Sequence, residues 1–374
     1  MKVLLVHVWF WPHIGGGNRH VELLGRELVS KGHEVTVWCA DVPEHHEKAF
    51  KRFGMNVVRI PPSFVISGID PMVSLSGLDP GEFDIVHLHD TLPILIRKVA
   101  KKASKLGVPI VTTYHNDYVK SSYSGKLLKW VRWHFQGKNT LDLSDARIVL
   151  RPYFEQLLRV KGVKGRIDVI PTGFEPPTEK ERVPDGAPQG PFLLYLSRLT
   201  KQKGLDILLE AWSSMEDSAK SGHQLVIAGD GPLKSEVLKS IGRATTDLVY
   251  VGLVDEEEKS WLLRNASALI LPSRFEGLPA ILLEAAWEGL PVAMSDVNDL
   301  GKFTAEGGFG ISMESDDVKS CIEAMSEMAS ADDRKIGAWS KAGPTLAKDF
   351  LWPVVADQIE LIYEHAIGRN SLPR

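Results

Sequence analysis

The chain has 374 residues, 44% hydrophobic and 25% charged, a balance that fills a core over a length that points to two domains. Its net charge of −4 argues against a nucleic-acid binder, which carries a strongly basic face. The only cysteines, Cys39 and Cys321, are far apart; they exclude a disulfide framework, fit a reducing compartment and set the expected location as cytoplasmic.

The apolar start, residues 3–9, has one cation before it and ends in Pro12 and three glycines, so it reads as a buried strand feeding a loop and not as a signal peptide. No run of about 18 apolar residues follows anywhere, so no transmembrane helix is expected. Val21, Leu24 and Leu28 keep a helical period, Gly32 stops that helix, and residues 35–39 form the next strand. "FDIVHLHD" (83–90) and "VPIVTTYHND" (108–117) read as buried strands separated by a helix over 95–106. The alternation predicts a parallel, doubly wound sheet.

The organisation expected is a first domain over 1–176, a Pro- and charge-rich linker over 177–190, a second α/β domain over 191–352, and a terminal helix over 353–374. In the second domain "FLLYLSRL", "HQLVIAGDGP", "DLVYVGLV", "NASALILPS" and "PVAMSD" read as strands, and "GLDILLEAWSSM" and "PAILLEAAWEG" as helices.

Polar clusters stand just after several of these strands, where open parallel sheets bind ligands. Gly15-Gly16-Gly17 precedes a helix; it is either a flexible turn or a close approach for an anion. The dinucleotide fingerprint GxGxxG fails there, because position 20 is His20. Arg198 and Lys203 in "SRLTKQKG" suit a diphosphate, or are solvated surface cations. "IAGDGP", with Gly229, is a turn that a nucleobase could stack upon. In "FEGLPAILLEA", Glu276 sits in a loop and Glu284 in the second turn of a helix, both able to accept hydroxyl hydrogen bonds. His115 follows a strand. His87 and His89 alternate on another and, with Asp90 and His115, make a conceivable metal set that no second-shell pattern supports. "EHHEK" (44–48) reads as a solvated loop. Residues 118–138 mix cations with Trp130, Trp133 and Phe135: a helix packed on the first domain, or a surface for anionic membrane.

This ordered set, from the glycine loop through "GHEVTV", "TYHND", "SRLTKQKG" and "AGDGP" to "FEGLPAILLEA", resembles the retaining GT-B glycosyltransferases of family 4 across nearly the whole chain. The resemblance implies two Rossmann-like domains with parallel sheets facing a central cleft, the donor held by the second and most of the acceptor by the first. It implies that Arg198 and Lys203 hold the donor diphosphate, Glu284 the ribose hydroxyls and Glu276 the transferred sugar. It also implies that His115 lies near the reacting sugar, that Gly16 and Gly17 close over the diphosphate, and that Gly229, Gly277 and Leu278 line the donor site. It implies transfer from a UDP- or GDP-sugar to a hydroxyl acceptor, a glycan or a lipid-linked one. The absence of D-x-D favours chemistry without a metal, and no cofactor is expected. A nucleotide-sugar epimerase and a non-catalytic binder are the rival readings. Thr172 where the family often has Asn, and "VNDLGKFT" (297–304) where it has Gly-Gly and an acid, depart from the pattern.

Overall fold

In the computed structural model the first sheet is built as the hydrophobic runs require. The structure describes residues 1–13, 15–45, 47–66, 70–115, 133, 137–241 and 247–370. The chain forms two compact units, one comprising Met1–Gly173 together with the helix Trp352–Asn370, the other Phe174–Leu351.

The strands of the first unit are β1 (Lys2–Val6), β2 (Glu34–Ala40), β3 (Ala49–Arg52), β4 (Met55–Ile60), β5 (Pro62–Ile66), β6 (Asp70–Val73), β7 (Ile85–His89), β8 (Ile110–Tyr114), β9 (Ala146–Val149) and β10 (Ile167–Val169). Eight make one sheet in the order β10-β9-β8-β7-β1-β2-β4-β3, parallel throughout except for the antiparallel edge strand β3. Strands β5 and β6 form a separate hairpin. Along β1 the side chains alternate between two cores. Val3 and Leu5 pack with Leu24 and Leu28 of the helix Gly16–Ser30, while Leu4 and Val6 pack with Leu95 and Val99 of the helix Ile94–Leu106. A strand covered on both faces has no polar side, which is why it reads as an unbroken apolar run. The helix Trp352–Asn370 completes the first of these cores with Trp352, Ile359 and Tyr363. Pro353 lies in its first turn, where a missing N–H is harmless.

The second unit has six parallel strands: β11 (Phe192–Leu196), β12 (Gln224–Ala228), β13 (Leu248–Gly252), β14 (Ala268–Leu271), β15 (Val292–Ser295) and β16 (Gly310–Met313). Their order is β13-β12-β11-β14-β15-β16, the arrangement of a dinucleotide-binding fold, with the order reversing between β11 and β14. Leu193 and Tyr195 face one core, Phe192 and Leu194 the other.

Element boundaries differ from the sequence-based expectation mainly at strand ends. Strand β1 stops at Val6, β7 at His89 and β8 at Tyr114, so the polar residues that follow are loop. Pro279 caps its helix from outside, which begins at Ala280. The helices Pro152–Val160, Val318–Ala329 and Asp333–Ala347 were not anticipated; the last carries Pro344 in its interior.

Candidate functional site

In each unit the motif residues gather where the strand order reverses. In the second unit, β11 runs into the loop carrying Arg198 and Lys203, and its neighbour β14 runs into the loop carrying Glu276. These loops are stitched together: the Arg274 amide donates to Gln202 O at 2.8 Å, and Gln202 Nε2 donates to Phe275 O at 3.2 Å. Gly204 allows the approach. It has φ +69°, and a Cβ there would stand 1.8 Å from Pro272 O.

The Lys203 ammonium is paired with Glu276 Oε1 in a close contact, and Ser273 Oγ donates to the same oxygen at 3.0 Å. Glu276 is buried, so its charge needs these partners. Glu284, in the helix Ala280–Trp287, lies 3.0 Å from Lys259 Nζ. Burial acts to lower the Lys259 pKa, but Glu284 and Glu256 outweigh it and hold the ammonium above its ordinary value. Both candidate carboxylates are therefore neutralised by a lysine. Arg198 is exposed and has no ion-pair partner among the described residues.

Gly229 follows β12 with φ +128°, and a Cβ would meet Ser197 O at 2.0 Å; only glycine lets the two loops touch. Tyr250 donates to Gly229 O at 3.0 Å. The Leu278 side chain packs in the core. The departing loop after β15 is tied to the site: Asn298 Nδ2 donates to Glu276 O at 2.5 Å. Asn298 and Asp299 both take positive φ, +52° and +62°.

In the first unit, β1, β7 and β8 deliver four histidines to one place, His7, His87, His89 and His115, and His20 arrives as a fifth from the helix Gly16–Ser30. His87 is fully engaged: Nδ1 meets Tyr363 OH at 2.6 Å and Nε2 meets Thr113 Oγ1 at 2.7 Å. This corrects the metal set drawn from sequence, since His87 has no nitrogen to spare. The His89 ring lies tilted against it, centroids 4.1 Å apart, and meets His115 Nε2 through Nδ1 at 3.3 Å. His20 lies 4.8 Å from the His115 ring and 5.3 Å from that of His89. His7 Nδ1 donates to Trp9 O, and a Cβ on Gly17 would stand 3.0 Å from its Nε2. Burial, with mutual repulsion, pushes His20 down to about 3 and takes His87, His89 and His115 well below their usual value. Burial lowers His7 too, against its Trp9 bond and the Asp90 charge.

Sequence reasoning missed His20, Lys259 and Asn298. The signal for His20 was present: it is the residue that breaks the dinucleotide fingerprint. "EHHEK" is less free than expected, because Lys48 pairs with the buried Asp41 and the amide of His45 donates to Asp41 Oδ1 at 3.0 Å. A surface depression of about 350 Å³ lined by Phe64, Met72, Leu75 and Lys98 holds none of the motif residues. Residues 118–132 and 134–136, most of the proposed membrane surface, lie outside the described residues. Trp133 is buried against Tyr114, with Lys161 over its ring at 4.6 Å.

Residues 14–176 match the family model for Glycosyltransferase Family 4, and residues 190–331 match that for Glycosyl transferases group 1. The chain belongs to the family 4, group 1 glycosyltransferases. This glycosyltransferase is 25% identical over 395 residues to a phosphatidyl-myo-inositol mannosyltransferase of Mycolicibacterium smegmatis, covering 98% of this chain and 95% of that one. It is 26% identical over 408 residues to a glycogen synthase of Mycobacterium tuberculosis, covering 97% and 94%. Among solved structures it resembles sucrose-phosphate synthase of Thermosynechococcus elongatus, with TM-score 0.75, 20% identity and 98% and 99% of the two chains covered. It also resembles Anabaena HepE in complex with UDP-glucose, with TM-score 0.71, 14% identity and coverage of 98% and 100%. These likenesses establish the GT-B fold for the glycosyltransferase.

Proposed function

We propose that this glycosyltransferase is a retaining enzyme that moves a sugar from a UDP- or GDP-sugar to a hydroxyl of a glycan or lipid-linked acceptor, without a metal or cofactor. The observation that carries the reading is the Lys203–Glu276 pair with Ser273, set at the ends of β11 and β14 where the strand order reverses.

Breaking the bond from the anomeric carbon to phosphate puts negative charge on the leaving diphosphate and positive charge on the sugar. Lys203 and Arg198 are the cations for the diphosphate, and the helix Ala280–Trp287 starts shortly after Glu276, the partner of Lys203, so that its N-terminus is proposed to add to them. The proposed exchange is simple. An arriving diphosphate draws the Lys203 ammonium, which frees the Glu276 carboxylate to accept hydrogen bonds from the sugar hydroxyls. Glu284 takes the ribose hydroxyls with Lys259 fixing its charge, and the backbone at Gly229, Gly277 and Leu278 lines the same donor. Gly16 and Gly17 supply amides and His115 the group near the reacting sugar. No protein nucleophile is assigned, because the acceptor attacks on the leaving-group face and the phosphate takes its proton. The reaction is placed in the cytoplasm, which suits Cys39 and Cys321, both free and buried. No helix among the described residues is long and apolar enough to cross a membrane; the membrane contact proposed is a peripheral one, through residues 118–138.

Thermal shift across UDP-, GDP- and ADP-sugars tests the donor assignment, because the bound donor stabilises the folded state by mass action. A shift with one base, lost in Lys203→Ala, is expected. Equal and negligible shifts with all three would overturn the reading, and turnover of the donor to its epimer without an acceptor would favour the isomerase.

A further inference from the structure

We infer that His20, His89 and His115 form a binding site for one borderline divalent transition-metal ion, of the class of Zn²⁺, inside the first unit. Each of the three rings brings a nitrogen to within 4.8 Å of the other two. None of the three belongs to the donor grip of the second unit.

Three features distinguish this cluster from histidines merely packed in a core. The first is unmet valence. His20 Nε2 is buried without a hydrogen-bond partner, and a buried bare nitrogen of this kind is costly unless something occupies it. The second is spacing. Two nitrogens bound at about 2.0–2.1 Å to a tetrahedral Zn²⁺ stand about 3.3–3.4 Å apart. His89 Nδ1 and His115 Nε2 are already 3.3 Å apart, sharing at most one proton between them.

The third is outer support. His20 Nδ1 meets the Thr172 hydroxyl at 2.9 Å. The Nδ1–H tautomer, which donates to that hydroxyl, leaves His20 Nε2 as a lone pair. A hydrogen bond on the far nitrogen is the usual support of a metal-binding imidazole. His87 holds the cluster in place, with Tyr363 and Thr113 taking its two nitrogens. An all-imidazole set selects ions such as Zn²⁺, Cu²⁺, Ni²⁺ or Co²⁺ over Mg²⁺ or Ca²⁺, which need oxygen ligands. Three protein ligands leave a fourth position, and His115, the least buried of the three, marks the side from which it opens.

The site stands on geometry alone. Its consequence for catalysis rests on the role proposed for His115: a bound ion holds that ring away from the sugar, so Zn²⁺ inhibits transfer reversibly. Binding is therefore measured without donor or acceptor. The whole chain, stripped with chelator, is titrated with Co²⁺ and followed by its visible ligand-field bands. One Co²⁺ per chain is expected, displaced by one equivalent of Zn²⁺. His20→Asn should abolish the bands. Thr172→Val, which removes only the outer hydroxyl, should weaken binding about 10- to 100-fold. His13→Asn, whose ring bonds Val42 O outside the cluster, should leave the bands unchanged. Pulsed EPR of the Cu²⁺-loaded wild-type chain counts bound imidazoles without relying on any variant; three are expected. No stoichiometric Co²⁺ band, fewer than three imidazoles, or unaltered bands in His20→Asn overturns the proposal. Binding without inhibition of transfer leaves the site standing and removes the role given to His115.

Discussion

The two units place their polar residues at the same topological point and solve the burial problem in opposite ways. The second unit buries charge and pairs it: Glu276 with Lys203, Glu284 with Lys259. The first unit buries imidazoles and keeps them neutral, joined by hydrogen bonds and ring contacts. Paired charges are ready to exchange partners with a charged ligand. Neutral rings are suited to hydroxyls or to a borderline metal cation, and they resist protons. The two kinds of surface therefore call for different ligands.

The contrast can be broken first at the charged pair. Lys203→Ala is expected to lower kcat/KM for transfer by about 10²- to 10³-fold, the loss typical when one transition-state charge stabiliser is removed. Glu276→Ala should fall in the same range. Steady-state kinetics with the donor identified by thermal shift would check both, and full activity in either variant refutes the roles given to them. Next in size is the loop contact at Gly229, where an added Cβ meets Ser197 O. Gly229→Ala should destabilise the second unit by about 2 kcal/mol or more, read from urea unfolding.

Tyr363→Phe sharpens the other side of the comparison. It leaves His87 Nδ1 buried without its partner and should cost about 1–3 kcal/mol, seen as a lower midpoint for the first unit only. The pH response should follow the same unit. Unfolding returns His20 from about 3 to its ordinary 6.5. Between those values the unfolded chain binds more protons than the folded one. Stability of the chelator-treated protein is therefore full above about pH 6.5 and falls as the pH drops below it. A melting temperature constant from pH 7 to pH 5 would contradict the neutral-core account. The smallest change expected is Asp317→Ala. It removes the side chain that accepts from the Ser320 amide at the start of the helix Val318–Ala329, for about 1 kcal/mol and no effect on transfer.

Much of this was legible because buried parallel strands announce themselves as apolar runs, and because the loops after them carry polar residues in a fixed order. The edge was harder. Strand β3 alternates exposed and half-buried residues, and β5 begins at a proline, so neither has the apolar run that betrays a central strand. The helix Asp333–Ala347 was hidden by Pro344. In the candidate site, Arg198, Lys203, Glu276 and Glu284 stood in readable motifs, while Lys259, His20 and Asn298 did not. Lys259 lies in a helix full of glutamates, where nothing in the pattern sets it apart. His20 looked like a failed glycine. Asn298 sits in a loop whose two positive-φ residues are not glycines, a conformation that no local pattern in "VNDLGKFT" announces.

The helix Trp352–Asn370 has a consequence for synthesis. Trp352, Ile359 and Tyr363 help complete a core whose members outside this helix lie before residue 174, and Tyr363 holds His87. The segment between, Phe174–Leu351, is contiguous and contains its own core. On the ribosome the usual order of folding, first-made first, is therefore inverted: the second unit can finish while the first still waits for its closing helix. During that interval the apolar seat for the helix is uncovered, and it is the surface on which a chaperone would be expected to act.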